Sequence, residues 1–346
     1  MIEIDGSYGE GGGAILRQAL GFSAYSGEAL RILKIRAGRR RPGLAAQHLR
    51  AVEAAGGVCG ARVRGASLGS TEVTFDPGSV RPGSLRLDVG TAGATTLVLQ
   101  TVLLPCFSHP GDFVFELGGG TDVPYSPPAD YLANVTLPAL SGFGSAELRV
   151  ERRGYYPKGG GRVLLRVSGG GGASGGLEYE APGEVLAIRG ISHAASALKE
   201  RHVAERQADA ADHLLERLGC PVTIEVVYSG AASMGSGTTL WTESRGGPPL
   251  GGSALGARDR PSEEVGREAA RALMREMDSG AAVDRHLADQ LVPFLAVYGG
   301  TLSTSAITSH VRSNIYVAER MLGSRFEIDG LRISAPGLPG HAASRR

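Results

Sequence analysis

One order of strands and helices recurs along this sequence, and an internal repeat limits the possible folds more than any single motif does. The first unit covers about residues 1–80, the second about 84–168 and the third about 281–336. Each is predicted to follow a βαβαββ pattern, from apolar residues at helical spacing and β-branched residues in alternation. Because β-α-β crossovers pack helices on a sheet, the sequence predicts an α/β fold whose large domain contains three repeated units.

A segment between the second and third units breaks this pattern. It spans about 180–280 and is predicted to form a smaller inserted α/β domain, which leaves 1–179 and 281–338 for the large domain. The glycine-rich stretch at 168–176 is either a long hairpin turn or a mobile connection. The small and polar residues 339–346 are expected to form a flexible tail.

The composition excludes several classes of function. The 36 Lys and Arg residues balance 35 Asp and Glu residues, so any nucleic acid must be bound by a local surface rather than by net charge. Lysine occurs only at Lys34, Lys158 and Lys199, and none of these lies in a Walker A sequence. The HExxH and G-x-S-x-G motifs are also missing, which removes support for zinc proteases and α/β-hydrolases.

The cysteines and the apolar segments bear on localisation. Three widely spaced cysteines without a CxxC motif indicate neither a disulfide framework nor a zinc site, and they fit a reducing cytoplasm. The longest apolar stretch, at 97–107, is interrupted by Gln100 and Pro105. We therefore expect a cytoplasmic protein without a membrane segment. Its oligomeric state is not predicted.

A glycine-rich turn joins the first strand to the first helix. The run from Gly9 to Ala14 matches G-x-G-x-x-A, a dinucleotide-binding pattern, but the next strand ends in Arg36 rather than in an acidic residue that would bind a ribose. Glycines at a helix N-terminus nevertheless expose backbone N–H groups to an anion. The carboxylate of Glu10 is a candidate ligand for a divalent cation that neutralises phosphates.

Arginines are concentrated at the end of the next predicted strand. Arg36, Arg39, Arg40 and Arg41 precede a helix that contains Gln47. A guanidinium group can donate two hydrogen bonds to the oxygens of one phosphate, so the run is a candidate phosphate clamp. Arg17 is expected to point to the same place. The alternative is a solvated basic turn, since charge runs often lie on the surface.

Two further strand-to-helix junctions carry candidate residues. The loop at 118–131 combines glycines, prolines and Tyr131, which can form an apolar slot for a flat base or simply connect two elements. The segment at 308–314 places His310 at the start of a helix. A neutral imidazole there is either a nucleophile or base, or a structural histidine, and the pattern alone does not decide.

These motifs, taken together and in this order, resemble the RNA 3'-terminal phosphate cyclase family over nearly the whole chain. The matching segments are DGSYGEGGGAILRQAL, IRAGRRRPGLAAQHL, GTAGATTLVLQT, GGTDVPYSPPADY, YYPKGGG, HLADQL and SHVRSNI. Several motifs in register are more specific than any one of them. The family's architecture, three repeated units with a smaller inserted domain, agrees with the repeat pattern.

The resemblance implies an ATP-dependent enzyme that converts an RNA 3'-phosphate into a 2',3'-cyclic phosphodiester. It implies that His310 becomes covalently linked to AMP, that AMP passes to the RNA end, and that the ribose 2'-OH then displaces it. Two alternatives remain. Some relatives lack the histidine and act in ribosome assembly, against which His310 argues, and enolpyruvyl transferases share only an architecture of repeated α/β units.

The resemblance also implies roles for individual residues. Glu10 would bind Mg²⁺ or Mn²⁺ on the ATP phosphates. The phosphates of ATP and of the RNA end would be bound by Arg17, Arg36, Arg39 and Gln47. The adenosine pocket would comprise Gln100, Pro128, Tyr131, His286, Leu287, Ala288, Asp289 and Gln290. Pro128 and His286 would flank the base, although a tyrosine is common at the position of His286.

Overall fold

The computed structural model describes residues 1–170 and 175–339 and has an α/β fold, as the sequence predicts. The strands are β1 (Ile2–Asp5), β2 (Leu30–Leu33), β3 (Arg62–Arg64), β4 (Val73–Asp76), β5 (Gly83–Asp88), β6 (Gly111–Gly119), β7 (Ser145–Arg152), β8 (Gly161–Gly169), β9 (Leu177–Tyr179), β10 (Glu184–Ala195), β11 (Val222–Ser229), β12 (Ser236–Arg245), β13 (Gly251–Leu255), β14 (Gly300–Ser303), β15 (Glu327–Asp329) and β16 (Arg332–Ala335). The α-helices are α1 (Gly13–Ser26), α2 (Ala46–Cys59), α3 (Thr95–Ser108), α4 (Ala129–Tyr131), α5 (Leu137–Ala139), α6 (Val203–Leu215), α7 (Ser262–Asp278), α8 (Arg285–Tyr298) and α9 (Ser309–Leu322).

Three of the four sheets in the described residues have one strand order. They are β1-β2-β4-β3, β5-β6-β8-β7 and β9-β14-β16-β15. In each sheet the first two strands are parallel and the remaining pairs are antiparallel. A parallel pair needs a crossover connection. Helices α1 and α3 provide it in the first two sheets, so each of these helices begins at the end of a parallel strand.

The third sheet takes its first strand from an unexpected part of the chain. Strand β9 pairs in parallel with β14, although about 120 residues separate them, and the predicted third unit at 281–336 does not include β9. The crossover between these strands contains the whole inserted segment as well as α8. The short strand at Leu177–Tyr179 follows the glycine-rich stretch, where no alternation indicates a strand.

The inserted segment forms its own four-stranded sheet. Its order is β11-β10-β12-β13, and α6 and α7 pack on it. Apolar residues such as Ile188, Leu215, Leu240 and Leu273 form a cluster distinct from the main core. We propose on this basis that 180–280 is a separate domain, with the boundaries predicted above.

The main core lies between the helices and the three related sheets. Helix α3 is buried on nearly all sides and contacts both α1 and α2, while α1 also contacts α9. Within the part of the chain described, no helix is both long and apolar enough to cross a membrane. The predicted tail lies outside the described residues from 340 onward, and so do residues 171–174 of the glycine-rich stretch.

Candidate active site

Two turns of the first unit pack directly against each other to form one wall of the site. Gly38 N–H donates to Gly11 O at 3.2 Å, and a Cβ atom on Gly38 would lie 2.1 Å from Glu10 O. Gly11 itself has a φ of 55°, a left-handed conformation that favours glycine. Part of the glycine-rich pattern in the first unit therefore reflects close packing of two turns, one containing Gly38 and the arginine run and the other containing Glu10.

Helix α9 brings His310 to the Glu10 turn from the other end of the chain. Thr308 caps the helix, because its Oγ1 accepts a hydrogen bond from Val311 N–H at 3.1 Å. His310 Nε2 then lies 3.7 Å from Glu10 Oε2, and Ser309 Oγ donates a hydrogen bond to Glu10 Oε1. Arg39 lies 3.5 Å from the same carboxylate.

These contacts set the charge states of the two central groups. The hydrogen bond from Ser309 lowers the pKa of Glu10, and the charge of Arg39, together with that of His310 when its ring is protonated, lowers it further, so the carboxylate is ionised. Burial lowers the pKa of His310, and the neighbouring arginines add to this, while Glu10 opposes it. The ring is therefore neutral at physiological pH, as a nucleophile requires.

A cavity of about 930 Å³ opens over this group. The structure places most of the residues predicted for the site on its wall: Glu10, Arg17, Arg36, Arg39, Gln47, Gln100, Pro128, Tyr131, His286, Asp289, Gln290 and His310. Leu287 and Ala288 are instead fully buried in the main core, because they lie on the inner face of α8. Their part in an adenosine pocket would be limited to supporting their neighbours.

The proposed adenosine side of the cavity is held by a polar network. Gln290 Oε1 accepts hydrogen bonds from Gln100 Nε2 at 2.7 Å and from Thr136 Oγ1 at 2.8 Å. Its Nε2 donates to His286 O at 2.8 Å. Since the amide of Gln290 is engaged in this way, it fixes Gln100 and the start of α8.

Asp289 is a titratable group on the same wall. Burial raises its pKa to about 7, the nearby Asp284 contributes to the increase, and Arg17 opposes it. Burial also lowers the pKa of Arg17 to about 10, which still leaves the guanidinium charged. Asp289 therefore changes charge close to neutral pH, next to a permanent cation.

Two residues of the predicted phosphate clamp have structural contacts. Arg36 Nη1 donates to Gly43 O at 2.6 Å and so closes its own turn. Gln47 Oε1 accepts from Ala94 N–H at 2.9 Å, at the start of α3. Arg40 and Arg41, which belong to the same predicted clamp, also line the cavity.

Sequence reasoning missed Asp284, which is fully buried. It caps α8 by accepting from His286 N–H and Leu287 N–H, and it also accepts from Tyr131 O–H and Gly251 N–H. It thereby connects α8 to the second unit and to the inserted sheet. An aspartate just before a helix is a cap signal, but its other two partners lie far away in the sequence.

Another buried polar cluster lies outside the cavity. Asp122, Asp130 and His193 are close enough together to be considered as metal ligands, the one such group found in the described residues. However, Arg153 Nη1 lies 2.6 Å from Asp130 and 3.3 Å from Asp122. Tyr155 O–H lies 2.9 Å from His193 Nδ1. Arg153 forms ion pairs with both carboxylates, and the cluster joins the inserted sheet to the second unit.

Comparison with known proteins places this geometry in a family. The family model described as RNA 3'-terminal phosphate cyclase matches residues 8–328. The chain belongs to the RNA 3'-terminal phosphate cyclase family. The resemblance drawn from the motifs is thus confirmed.

Curated members of the cyclase family match nearly the full length. The protein named RNA 3'-terminal phosphate cyclase in Archaeoglobus fulgidus is 48% identical over 96% of this chain and 99% of its own. Proteins of the same name in Pyrococcus furiosus and Methanopyrus kandleri are 47% and 45% identical, each over 95% of this chain and 96% of their own. The cyclase family likeness therefore includes the inserted segment.

Proposed function

We propose that this protein is an ATP-dependent RNA 3'-terminal phosphate cyclase with His310 as its nucleophile. The observation that carries the proposal is the neutral imidazole of His310 beside Glu10, in a cavity lined by Arg17, Arg36 and Arg39. A nucleophile surrounded by cations suits a reaction on phosphate groups. The name shared by the curated relatives supports the same reaction and disfavours a non-catalytic role in ribosome assembly.

In the first step, the unprotonated ring nitrogen of His310 attacks the α-phosphorus of ATP. A P–N bond forms, the bond to the β-phosphate oxygen breaks, and pyrophosphate leaves. The other ring nitrogen loses its proton to solvent. Arg17 and Arg39 stabilise the charge that develops on the phosphate oxygens, since guanidinium groups form paired hydrogen bonds with them.

The second and third steps take place on the RNA end. An oxygen of the 3'-phosphate attacks the phosphorus of the histidine-bound AMP, the P–N bond breaks, and the imidazole recovers a proton. The ribose 2'-OH then attacks the 3'-phosphorus, loses its proton and expels AMP. Adenylation supplies the leaving group that a terminal phosphate lacks, and the adjacent hydroxyl closes the ring by proximity.

A divalent cation, Mg²⁺ or Mn²⁺, belongs to the proposal, with Glu10 as its protein ligand. The carboxylate is ionised and faces the cavity. One carboxylate is enough when substrate phosphates and water supply the other ligands, which is the usual arrangement for Mg²⁺. The bound ion would neutralise phosphate charge.

We also propose a cytoplasmic location for this protein, and this proposal rests on the cysteine pattern.

The covalent step is tested by incubating the protein with α-labelled ATP and a divalent cation. We expect a labelled protein whose bond is labile in acid and stable in alkali, as for a phosphoramidate. His310→Ala should lose the label, whereas His213→Ala should keep it, because His213 is exposed and does not line the cavity. Label that persists in His310→Ala would exclude His310 as the nucleophile.

The overall reaction is tested with RNAs that end in a 3'-phosphate, a 2'-phosphate or a 3'-OH. We expect the 3'-phosphate to give a cyclic end, together with AMP and pyrophosphate. Absence of a cyclic product from that substrate would exclude the proposed function even if the protein becomes adenylated.

A further inference from the structure

Tyr125 stands out at the cavity because its ring is fully exposed, at 101% of the reference surface, while it lines the cavity wall. Its φ of 66° is a left-handed conformation that residues other than glycine rarely adopt. Pro124 and Pro127 restrict the backbone on both sides, and Ser126 Oγ donates to Val123 O at 3.0 Å. The loop therefore holds the ring away from the protein.

Nothing else in the described part of the chain uses this side chain. Throughout residues 1–170 and 175–339, the ring stacks on no other ring and the hydroxyl makes no side-chain hydrogen bond. Arg40 and Arg41 are also exposed on the cavity wall, and neither forms an ion pair within the same residues. An unpacked aromatic ring and two unpaired cations face one opening, which is the combination that binds single-stranded nucleic acid.

We propose that Tyr125 stacks on one of the last two nucleobases of the RNA substrate, and this rests on the proposed cyclase function. A stacking contact does not depend on the sequence of the RNA end, because every base has a π face. Arg40 and Arg41 are placed to contact the backbone phosphates of the same strand.

The second ligand would lie at the opening of the cavity. The volume of about 930 Å³ is within the range for a single small ligand, and the ring of Tyr125 is exposed at its edge. The proposed adenosine side is formed by Pro128, Tyr131 and His286, so Tyr125 is not needed to enclose adenine. Its exposed position suits a ligand that enters from solvent.

The first measurement is RNA affinity without ATP, by fluorescence anisotropy of a 5'-labelled single-stranded RNA with a 3'-phosphate. Tyr125→Ala should raise the Kd by roughly 5- to 150-fold, the range measured for losing one base–aromatic stack. Tyr125→Trp should retain affinity, because it keeps a flat ring. Tyr156→Ala is the matched control, since Tyr156 is also exposed but does not line the cavity. Equal affinity of the wild type and Tyr125→Ala would overturn the proposal.

The second measurement identifies the partner of the ring. Two RNAs carry an abasic site at the last or the next-to-last position. One of them should bind the wild type as weakly as Tyr125→Ala binds intact RNA, and Tyr125→Ala should weaken it no further. If Tyr125→Ala lowers affinity for both abasic RNAs by its full factor, the ring does not stack on either base and the proposal fails.

Adenylation assays separate this proposal from the cyclase function. If Tyr125→Ala instead raises the ATP concentration for half-maximal adenylation by a similar factor, the ring contacts adenine and the RNA proposal is overturned. If the wild type binds RNA through Tyr125 but forms no adenylate, the cyclase function fails while the stacking result stands.

Discussion

Substitution of Asp284 tests how much its hydrogen bonds stabilise the proposed adenosine side of the cavity. Asp284→Ala removes the cap of α8, at a cost of about 1 kcal/mol. It also leaves Tyr131 O–H and Gly251 N–H without their acceptor in a buried place, at about 1–3 kcal/mol each. Burial of the charge partly offsets these losses, since it raises the pKa of Asp284. We therefore expect a loss of about 3–5 kcal/mol in the free energy of unfolding.

The conservative variant Asp284→Asn distinguishes the contributions of the two carboxylate oxygens. Oδ1 accepts from the start of α8, whereas Oδ2 accepts from Gly251 N–H at 2.9 Å. In Asp284→Asn, the amide oxygen keeps the helix cap, but the NH₂ group faces Gly251 N–H and cannot accept from it. One lost hydrogen bond should cost about 1–3 kcal/mol, less than the alanine variant.

Urea unfolding followed by tryptophan fluorescence measures these differences. Trp241 is the single tryptophan of the sequence, and it lies in β12 opposite Gly251 of β13. Thr308→Ala is the control, since Thr308 caps α9 through a single N–H group and should cost about 0.5–2 kcal/mol. If Asp284→Ala is no more destabilising than Thr308→Ala, the hydrogen bonds to Tyr131 and Gly251 contribute nothing and the reasoning is refuted.

Three further predictions concern Asp289, Arg153 and Gly38. Because burial raises the pKa of Asp289 to about 7, ionisation of its carboxyl group opposes folding increasingly between pH 4 and pH 7. Asp289→Asn should therefore raise the urea concentration at the unfolding midpoint more at pH 8 than at pH 4, and an equal effect at both pH values would contradict this. Arg153→Met removes the guanidinium that pairs with the buried carboxylates of Asp122 and Asp130, and it should lower the free energy of unfolding in urea by about 3–5 kcal/mol. A loss below about 1 kcal/mol would contradict this. Gly38→Ala should force the turn that contains Arg36 and Arg39 away from Glu10 and lower the adenylation rate at least tenfold. Gly142→Ala should not, because a Cβ atom at Gly142 would meet open space, and similar rates in both variants would contradict this.

The sequence predicted the elements whose pattern is local. The first strand, the helix that contains Gln47 (α2) and the helix that begins beside His310 (α9) occur where the sequence predicts them. The strand that was predicted to end in Arg36 is shorter, because the chain leaves the sheet after Leu33 and adopts positive φ values at Lys34 and Arg36. Strand β10 was missed: it is an inner strand of its sheet, its last four residues are all buried, and small residues such as Ala187 and Gly190 weaken the apolar pattern before them.

The site was predictable in its residue types but not in its contacts. The resemblance named Gln290 and Gln47, and the structure places both on the cavity wall. Their side chains also hold Gln100 and Ala94, which lie 190 and 47 residues away. Partners this distant come from how the units pack against each other, and the spacing within one motif contains no information about that.

The repeat and the packing between its units explain why residues so far apart meet. In a parallel pair, both strands end at the same edge of the sheet, so a helix that follows either strand begins there. Helix α1 follows β1 in the first sheet, α9 follows β14 in the third sheet, and the two helices contact each other. Their packing brings together Glu10, in the turn before α1, and His310, in the first turn of α9, with the positive ends of both helices directed at the cavity. The chain between these two residues can accommodate a whole inserted segment, because it enters between β9 and α8 and leaves those strand ends unchanged.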